Sequence, residues 1–215
     1  MTDTQTLIER LSSEAKATTV VRTPAYWGSR LMAVLAVYGL VTQLVLGLRP
    51  DLAMQFTRPL FAAEIGLLVA LVFSSALASV LAMYPDAHQK PKLLKLPYAV
   101  FLLMLGLVLF QLFIPLDARM VMPLPGAHAM ECAICIGSVA LIPSALIFAV
   151  LRKGASVRQF QAGSFAVLAA SGIGCLTLRL AEANDSMMHL ASWHYGPTLL
   201  FAAFGACIGK ILLKW

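Results

Sequence analysis

Six long apolar blocks alternate with short polar segments along the chain. The blocks cover residues 27–48, 60–83, 97–115, 132–151, 160–178 and 197–213. Each is close to the roughly 20 residues with which an α-helix crosses a hydrocarbon layer of about 30 Å. Pro97 and Pro115 are taken as the boundaries of the third block, because proline suits helix ends better than helix interiors. Pro143 is expected to kink the fourth helix.

The blocks are predicted to be transmembrane helices. Lipid offers backbone groups no hydrogen-bond partner, so a spanning segment is either a helix or a strand of a closed barrel. The blocks lack the alternating pattern of barrel strands. Of the 215 residues, 60% are hydrophobic and 12% are charged, whereas a soluble domain has about 25% charged residues. The sequence therefore predicts an all-α, polytopic membrane protein, with a six-helix bundle over residues 26–215 and a separate segment over residues 1–25.

Lysine and arginine are divided unequally between the two sides of the predicted bundle. Four of the 16 basic residues fall on one side, namely Arg49, Arg58, Arg119 and Arg179, and twelve fall on the side of the N-terminus. The positive-inside rule then places both termini in the cytoplasm. The basic residues lie between apolar blocks and form no patch, so the net charge of +6 does not indicate nucleic acid as a partner. Residues 1–25 lack the apolar core of a signal peptide, and no cleavage is expected.

The N-terminal segment carries a short amphipathic pattern. Thr2-Asp3-Thr4 can cap a helix in which Leu7, Ile8 and Leu11 share one face. Such a short helix is marginal alone. Two interpretations stay open, since the helix either lies on the bilayer surface or becomes ordered by docking a partner.

Ionisable and soft side chains gather on the side opposite the termini. Glu64 lies about one turn inside the second helix, as an interfacial carboxylate near Arg58 or as part of signal coupling. The loops carry thioether, thiol and imidazole groups, at Met120, Met122, His128, Met130, Cys132, Met187, Met188, His189 and His194. These groups bind soft or borderline metals, with His128, Cys132, His189 and His194 as the candidate ligands. The alternative is that the loops only pack over the bundle, because the spacing matches no established site.

Cysteines and glycines in the helices suggest two further roles. Cys132 is expected to be an exposed, signal-responsive thiol at the mouth of the fourth helix. Cys135, one turn deeper, and Cys175, at about the same depth in the fifth helix, are weaker candidates. Gly205 and Gly209 form a GxxxG motif that lets a second helix approach closely. That second helix belongs to the same bundle or, alternatively, to a homodimer partner.

No constellation of an enzyme is present in the sequence. It contains no P-loop, no nucleophile elbow and no histidine pair at haem spacing within a helix. We therefore expect no catalytic activity and no cofactor. The alternative function is a small transporter or permease-like subunit, although the apolar blocks hold few of the polar residues that line a transport path.

Taken together, several short segments resemble NrsF-like membrane proteins, which are negative regulators of extracytoplasmic-function sigma factors. The resemblance rests on Thr6–Leu11, Leu48–Leu52, Cys132 with Pro143, Leu151–Ala155, Ala162-Gly163, Trp193-His194, and Gly205 and Gly209 followed by Leu213–Trp215. Together, in this order, the segments span nearly the whole chain.

The resemblance implies an anti-sigma factor of the bacterial inner membrane. Its cytoplasmic N-terminal segment would hold a sigma factor, with Leu7, Ile8 and Leu11 as the docking residues. In that family, two outward-facing cysteines are linked to the sensing of metals or oxidants. Cys132 matches the first cysteine, and Glu182 stands where the second is expected.

Overall fold

Every regular element in residues 2–14, 22–113 and 129–214, which the computed structural model describes, is helical. These residues form nine α-helices: α1 (Thr2–Glu14), α2 (Pro24–Leu46), α3 (Leu52–Phe56), α4 (Pro59–Ala82), α5 (Pro91–Leu112), α6 (Ala129–Leu151), α7 (Gln159–Ala181), α8 (Met187–His189) and α9 (Gly196–Leu212). The same part of the chain also contains a 3₁₀-helix at Pro85–Gln89 and a π-helix at Leu190–Tyr195.

Six of these helices are long and apolar enough to span a membrane, which confirms the predicted all-α fold with six spans. They are α2, α4, α5, α6, α7 and the continuous run from α8 through the π-helix to α9. Side chains such as Leu44 and Val45 are more than 80% exposed. Exposing so many apolar side chains to lipid costs no free energy, so the surface suits a bilayer rather than water.

The predicted start of the third spanning helix was wrong. The helix begins at Pro91, and Pro97 lies inside it. Pro91 occupies the first helical position, where the missing backbone N–H has no intrahelical role and the fixed φ suits the helix. The helix then tolerates the single hydrogen bond lost at Pro97. Pro59 likewise opens α4, and Thr23 caps α2 by accepting a hydrogen bond from the backbone N–H of Tyr26.

Helix α7 forms the centre of the bundle. Its sides pack against α4, α6, α9 and α2, whereas α5 packs mainly against α4. In the candidate membrane-spanning part of α7, 72% of the residues are buried, compared with 11% in that of α2. Small residues permit this crowding, because a Cβ added at Gly163 would collide with the backbone of Gly205 and Gly209 on α9. The two helices therefore meet backbone to backbone.

The bundle has two polar ends. At one, called here the Arg49 end, the backbone N–H of Arg49 donates to the carbonyl of Leu180, so the loop after α2 meets the end of α7. At the other, the Lys153 end, the Ser156 hydroxyl donates to the carbonyl of Ala82 and Lys153 lies over the ring of Trp27. Helix α2 begins at the Lys153 end, where Trp27 lies, and α1 precedes it in the chain.

Candidate functional site

Four side chains with metal-type donor atoms meet at the Arg49 end. Cys132 lies in the first turn of α6, Glu182 directly follows α7, His189 ends α8, and His194 lies in the π-helix. We call these four residues the Cys132 cluster. The Ser186 side chain accepts a hydrogen bond from the backbone N–H of His189 and so starts the turn that carries this histidine.

Glu182 contacts all three other residues of the Cys132 cluster. Its Oε2 lies 3.5 Å from the Sγ of Cys132 and 3.1 Å from the Nε2 of His194. Its Oε1 lies 3.3 Å from the Nε2 of His189, and that nitrogen is 3.5 Å from the Cys132 thiol. All four donor atoms lie within 4.8 Å of one another. The donors therefore converge on one point.

The surroundings of the Cys132 cluster are largely closed to solvent. Burial raises the pKa of the Glu182 carboxyl, but the hydrogen bond and charge of His194 outweigh this effect and leave the pKa below its usual value. The Cys132 side chain is only 8% exposed, so the expectation of an exposed thiol was wrong. Glu182 and His189 cover it.

A second group of polar side chains is buried beside this cluster. Arg179 of α7 donates from Nε to Oε1 of Glu64 at 2.8 Å and from Nη2 to Oε2 at 3.3 Å. The Tyr195 hydroxyl also donates to Glu64 Oε1. Both charged side chains are about 97% buried, which shows that the expectation of an interfacial carboxylate at Glu64 was wrong. Such a buried pair is retained only when further hydrogen bonds satisfy its lone pairs, and Tyr195 contributes one of these.

The buried pair of Arg179 and Glu64 adjoins a set of ion pairs between two loops. Arg49 makes paired contacts of 2.7 and 2.9 Å with Asp51 and of 2.9 and 3.0 Å with Asp185. Gln55 Nε2 donates to both carboxylates, at 2.9 and 3.1 Å. Arg179 Nη1 lies 2.9 Å from Asp185 Oδ1 without hydrogen-bond alignment. With Glu64 and Tyr195 these residues form the Arg179 network.

The two loop carboxylates of the Arg179 network are held in their charged form. The hydrogen bonds from Arg49 and Gln55 keep the pKa of Asp51 well below its usual value. Burial raises the pKa of Asp185, but the hydrogen bond from Arg49 and the charge of Arg179 outweigh it, so this pKa is also lowered. The loops after α2 and α7 are thus joined by charges that persist at neutral pH.

The Cys132 cluster and the Arg179 network share two backbone segments. His194 and Tyr195 are consecutive in the π-helix, with one in each group. Glu182 and Asp185 likewise belong to one short loop. Insertion of a π-turn is frequent at functional sites. A displacement of His194 therefore also moves the hydroxyl group that Glu64 binds.

The remaining candidate residues are dispersed. His128 lies outside the described residues. Cys135 is half-buried one turn below Cys132, and Cys175 is fully buried in α7. The apolar side chains of the N-terminal helix, Leu7, Ile8 and Leu11, are 55–60% exposed. Gly205 and Gly209 face Gly163 of the same chain.

Sequence reasoning missed the Arg179 network. Arg179 was assigned to a loop, although it lies inside α7, two residues before the helix ends. One signal could have revealed the pair: Arg179 and Glu64 carry opposite charges at similar depths from the same end of two apolar helices. Ionisable residues inside spans usually face the bundle interior and pair with one another.

The fold and the site define a membrane protein of six helical spans, with a buried network of titratable side chains at one end. The family model for the negative regulator of sigma F matches residues 11–215. The chain therefore belongs to the NrsF family. No curated protein and no solved structure matches it.

Proposed function

We propose that the protein is an anti-sigma factor of the bacterial inner membrane. In this proposal, residues 1–25 lie in the cytoplasm and hold an extracytoplasmic-function sigma factor, and a signal at the Arg49 end releases it. Membership in a family of negative regulators of a sigma factor supports the kind of partner. The unequal distribution of lysine and arginine supports the orientation.

The observation that carries the docking role is the apolar face of α1. Leu7, Ile8 and Leu11 are all more than half exposed, while the same helix carries an ion pair of 3.3 Å between Arg10 and Glu14. A helix with one apolar face fits a hydrophobic groove of a partner protein. The family match begins at residue 11, so most of this face precedes the matched region.

A structural connection runs between the two ends of the bundle. Helix α4 carries Glu64 near its start, and Tyr84, just beyond its end, donates from its hydroxyl to the carbonyl of Arg22. Arg22 lies in the N-terminal segment, two residues before α2 begins. We propose that α4 transmits changes at the Arg179 network to the segment that holds the sigma factor.

The test replaces the apolar face of α1 and measures sigma binding. The variant Leu7→Ser/Ile8→Ser/Leu11→Ser removes apolar contacts worth about 1 kcal/mol or more each. Together they should weaken sigma binding by more than about a hundredfold. The measurements are co-purification of the sigma factor and transcription of a sigma-dependent reporter. The matched control, Gln5→Ala/Ser12→Ala, changes polar residues of the same helix.

Two outcomes would contradict the proposal. Sigma binding that survives both the triple variant and deletion of residues 2–16, in protein that still inserts in the membrane, would show that α1 is not the docking element. Cleavage of residues 1–25 by a protease added outside intact spheroplasts would place the segment on the wrong side of the membrane. Sigma capture would then be impossible.

The transporter alternative gains no support from the groove between α6 and α9. A groove of about 620 Å³ between α6 and α9 is lined mainly by apolar side chains, including Leu141, Phe148 and Phe204. A path for a polar solute needs polar groups along it. This groove suits a lipid chain better than a transported solute.

A further inference from the structure

We propose that the Cys132 cluster is a binding site for one borderline divalent cation of the zinc class. The site combines one thiol, one carboxylate and two imidazoles, at Cys132, Glu182, His189 and His194. Zinc prefers four such ligands in a tetrahedral arrangement. Cys132 would bind as the thiolate, with its proton released to solvent. The thiolate and the carboxylate would then balance the two charges of the cation.

Four contacts in the cluster are close in length to those of a tetrahedral site. Zinc lies at about 2.3 Å from sulfur and about 2.0–2.2 Å from nitrogen or oxygen, which places sulfur about 3.6 Å from each other donor and nitrogen about 3.4 Å from oxygen. The sulfur of Cys132 lies 3.5 Å from the oxygen of Glu182 and 3.5 Å from the nitrogen of His189. The Nε2 of His189 lies 3.3 Å from Oε1 of Glu182, and the Nε2 of His194 lies 3.1 Å from Oε2 of the same carboxylate.

Hydrogen bonding alone explains this arrangement less well. A hydrogen-bonded chain needs only consecutive contacts, whereas the four donor atoms here all lie within 4.8 Å of one another. His194 is fully buried, and its Nδ1 has no hydrogen-bond partner among the described residues. Glu182 therefore holds this imidazole through Nε2, the nitrogen that faces the other donors.

The cluster is accessible to a cation and joined to several helices. The side chains of Glu182 and His189 are 25% and 14% exposed, so an ion can reach the donors from the Arg49 end. The donors come from α6, the end of α7, α8 and the π-helix. A bound cation would tie these elements together. A role for this cation as the releasing signal rests on the function proposed above, but the binding itself does not.

The experiment measures zinc binding to the purified full-length protein in detergent, after removal of metal. Competition with a chromophoric chelator should give one Zn²⁺ per chain. Cys132→Ser and Glu182→Gln are each expected to weaken binding at least tenfold. The matched controls Cys207→Ser and His88→Gln change an exposed cysteine and an exposed histidine outside the cluster and should bind normally. Mg²⁺ should not compete, because it requires oxygen ligands.

Further measurements separate loss of the site from loss of the fold. Zn²⁺ should raise the Tm of the wild type by mass action and raise that of Cys132→Ser by less, while the two Tm values without metal show whether the variant folds. Co²⁺ should give a sulfur-to-cobalt absorption band in the wild type that Cys132→Ser lacks. Should Cys132→Ser fail to fold, Glu182→Gln and His189→Gln provide the same comparison.

Two results would overturn the inference: wild-type protein that takes up no stoichiometric Zn²⁺, or folded cluster variants that bind Zn²⁺ as tightly as the wild type. Sigma co-purification, measured on the same preparations, distinguishes this failure from failure of the proposed function. Sigma binding without zinc binding would reject the metal site alone. Zinc binding without sigma binding would reject the anti-sigma role alone.

Discussion

Removal of Arg179 tests how the buried charges at the Arg49 end support the fold. The variant Arg179→Met takes away two hydrogen bonds, of 2.8 and 3.3 Å, from the carboxylate of Glu64. Glu64 is 2% exposed, so water cannot replace them. The hydroxyl of Tyr195 remains the carboxylate's hydrogen-bond donor among the contacts described above.

The expected loss of stability follows from this burial. Removing one partner of a buried ion pair costs about 3–5 kcal/mol, since it leaves an uncompensated charge. At 1.36 kcal/mol per factor of ten, the ratio of folded to unfolded protein should fall by roughly two to four powers of ten. The double variant Arg179→Met/Glu64→Leu removes both charges. It should recover most of this loss, because a buried pair and an apolar replacement are of similar stability.

The assay is reversible unfolding of the purified protein in mixed micelles, with the wild type, both single variants and the double variant compared as a cycle. A coupling free energy of about 2 kcal/mol or more is expected between the two side chains. Arg152→Met serves as the matched control, because Arg152 is exposed at the Lys153 end. Equal stability of the double variant and Arg179→Met, with a coupling free energy near zero, would refute the reasoning.

Three further predictions concern neighbouring features. Tyr195→Phe should lower the free energy of unfolding by about 1–3 kcal/mol, since a buried acceptor on Glu64 loses a donor. Gly163→Ala should destabilise the protein by about 1–3 kcal/mol, because α9 leaves no room for a Cβ. The pKa of Asp185 is lowered by folding, so its contribution to stability is present above about pH 4 and is lost as the pH falls through the folded-state pKa; Asp185→Asn should lack this acid-dependent loss.

Each of these predictions has its own check. Thermal unfolding in detergent at neutral pH measures the first two, and Gly106→Ala is the control for the glycine, because nothing lies within 4 Å of a Cβ there. Equal Tm values for the variants at Gly163 and Gly106 would contradict the close packing of α7 and α9. Unchanged stability of Tyr195→Phe would exclude a contribution from its hydroxyl. Identical acid profiles for Asp185→Asn and wild type would assign the acid sensitivity to other groups.

The fold was predictable because the bilayer imposes strong constraints on sequence. Each span needs a continuous apolar run of fixed length, and all six runs could be located without knowledge of packing. The start of a helix was harder to predict where two prolines lie close together, as with Pro91 and Pro97, because either can occupy the first turn. The alternation of Lys and Arg gave the predicted orientation, which depends on the membrane and not on the packing of the chain.

The candidate site was only partly predictable, because the relative positions of His189 and His194 depend on a π-helix. His189 and His194 are five residues apart, a spacing that places side chains on different faces of an α-helix with 3.6 residues per turn. In the π-helix, residues five apart are hydrogen-bonded neighbours, and the two imidazole rings lie 5.4 Å apart. Cys132, His189 and His194 could be named as metal-type donors, but Glu182 was recognised only as the position of an expected cysteine.

The close contact between α7 and α9 lies nearer to the C-terminal end of the last helix than to its His194 end. It lies at Gly205 and Gly209, opposite Gly163, so the arm of the helix towards His194 is roughly 20 Å long and the arm towards Lys214 roughly 10 Å, at 1.5 Å per residue. A rigid tilt that moves His194 by about 1 Å would therefore shift Lys214 by only about half as much. A lever motion of the last helix about this contact would therefore attenuate a displacement of His194 before it reached the opposite end of the bundle.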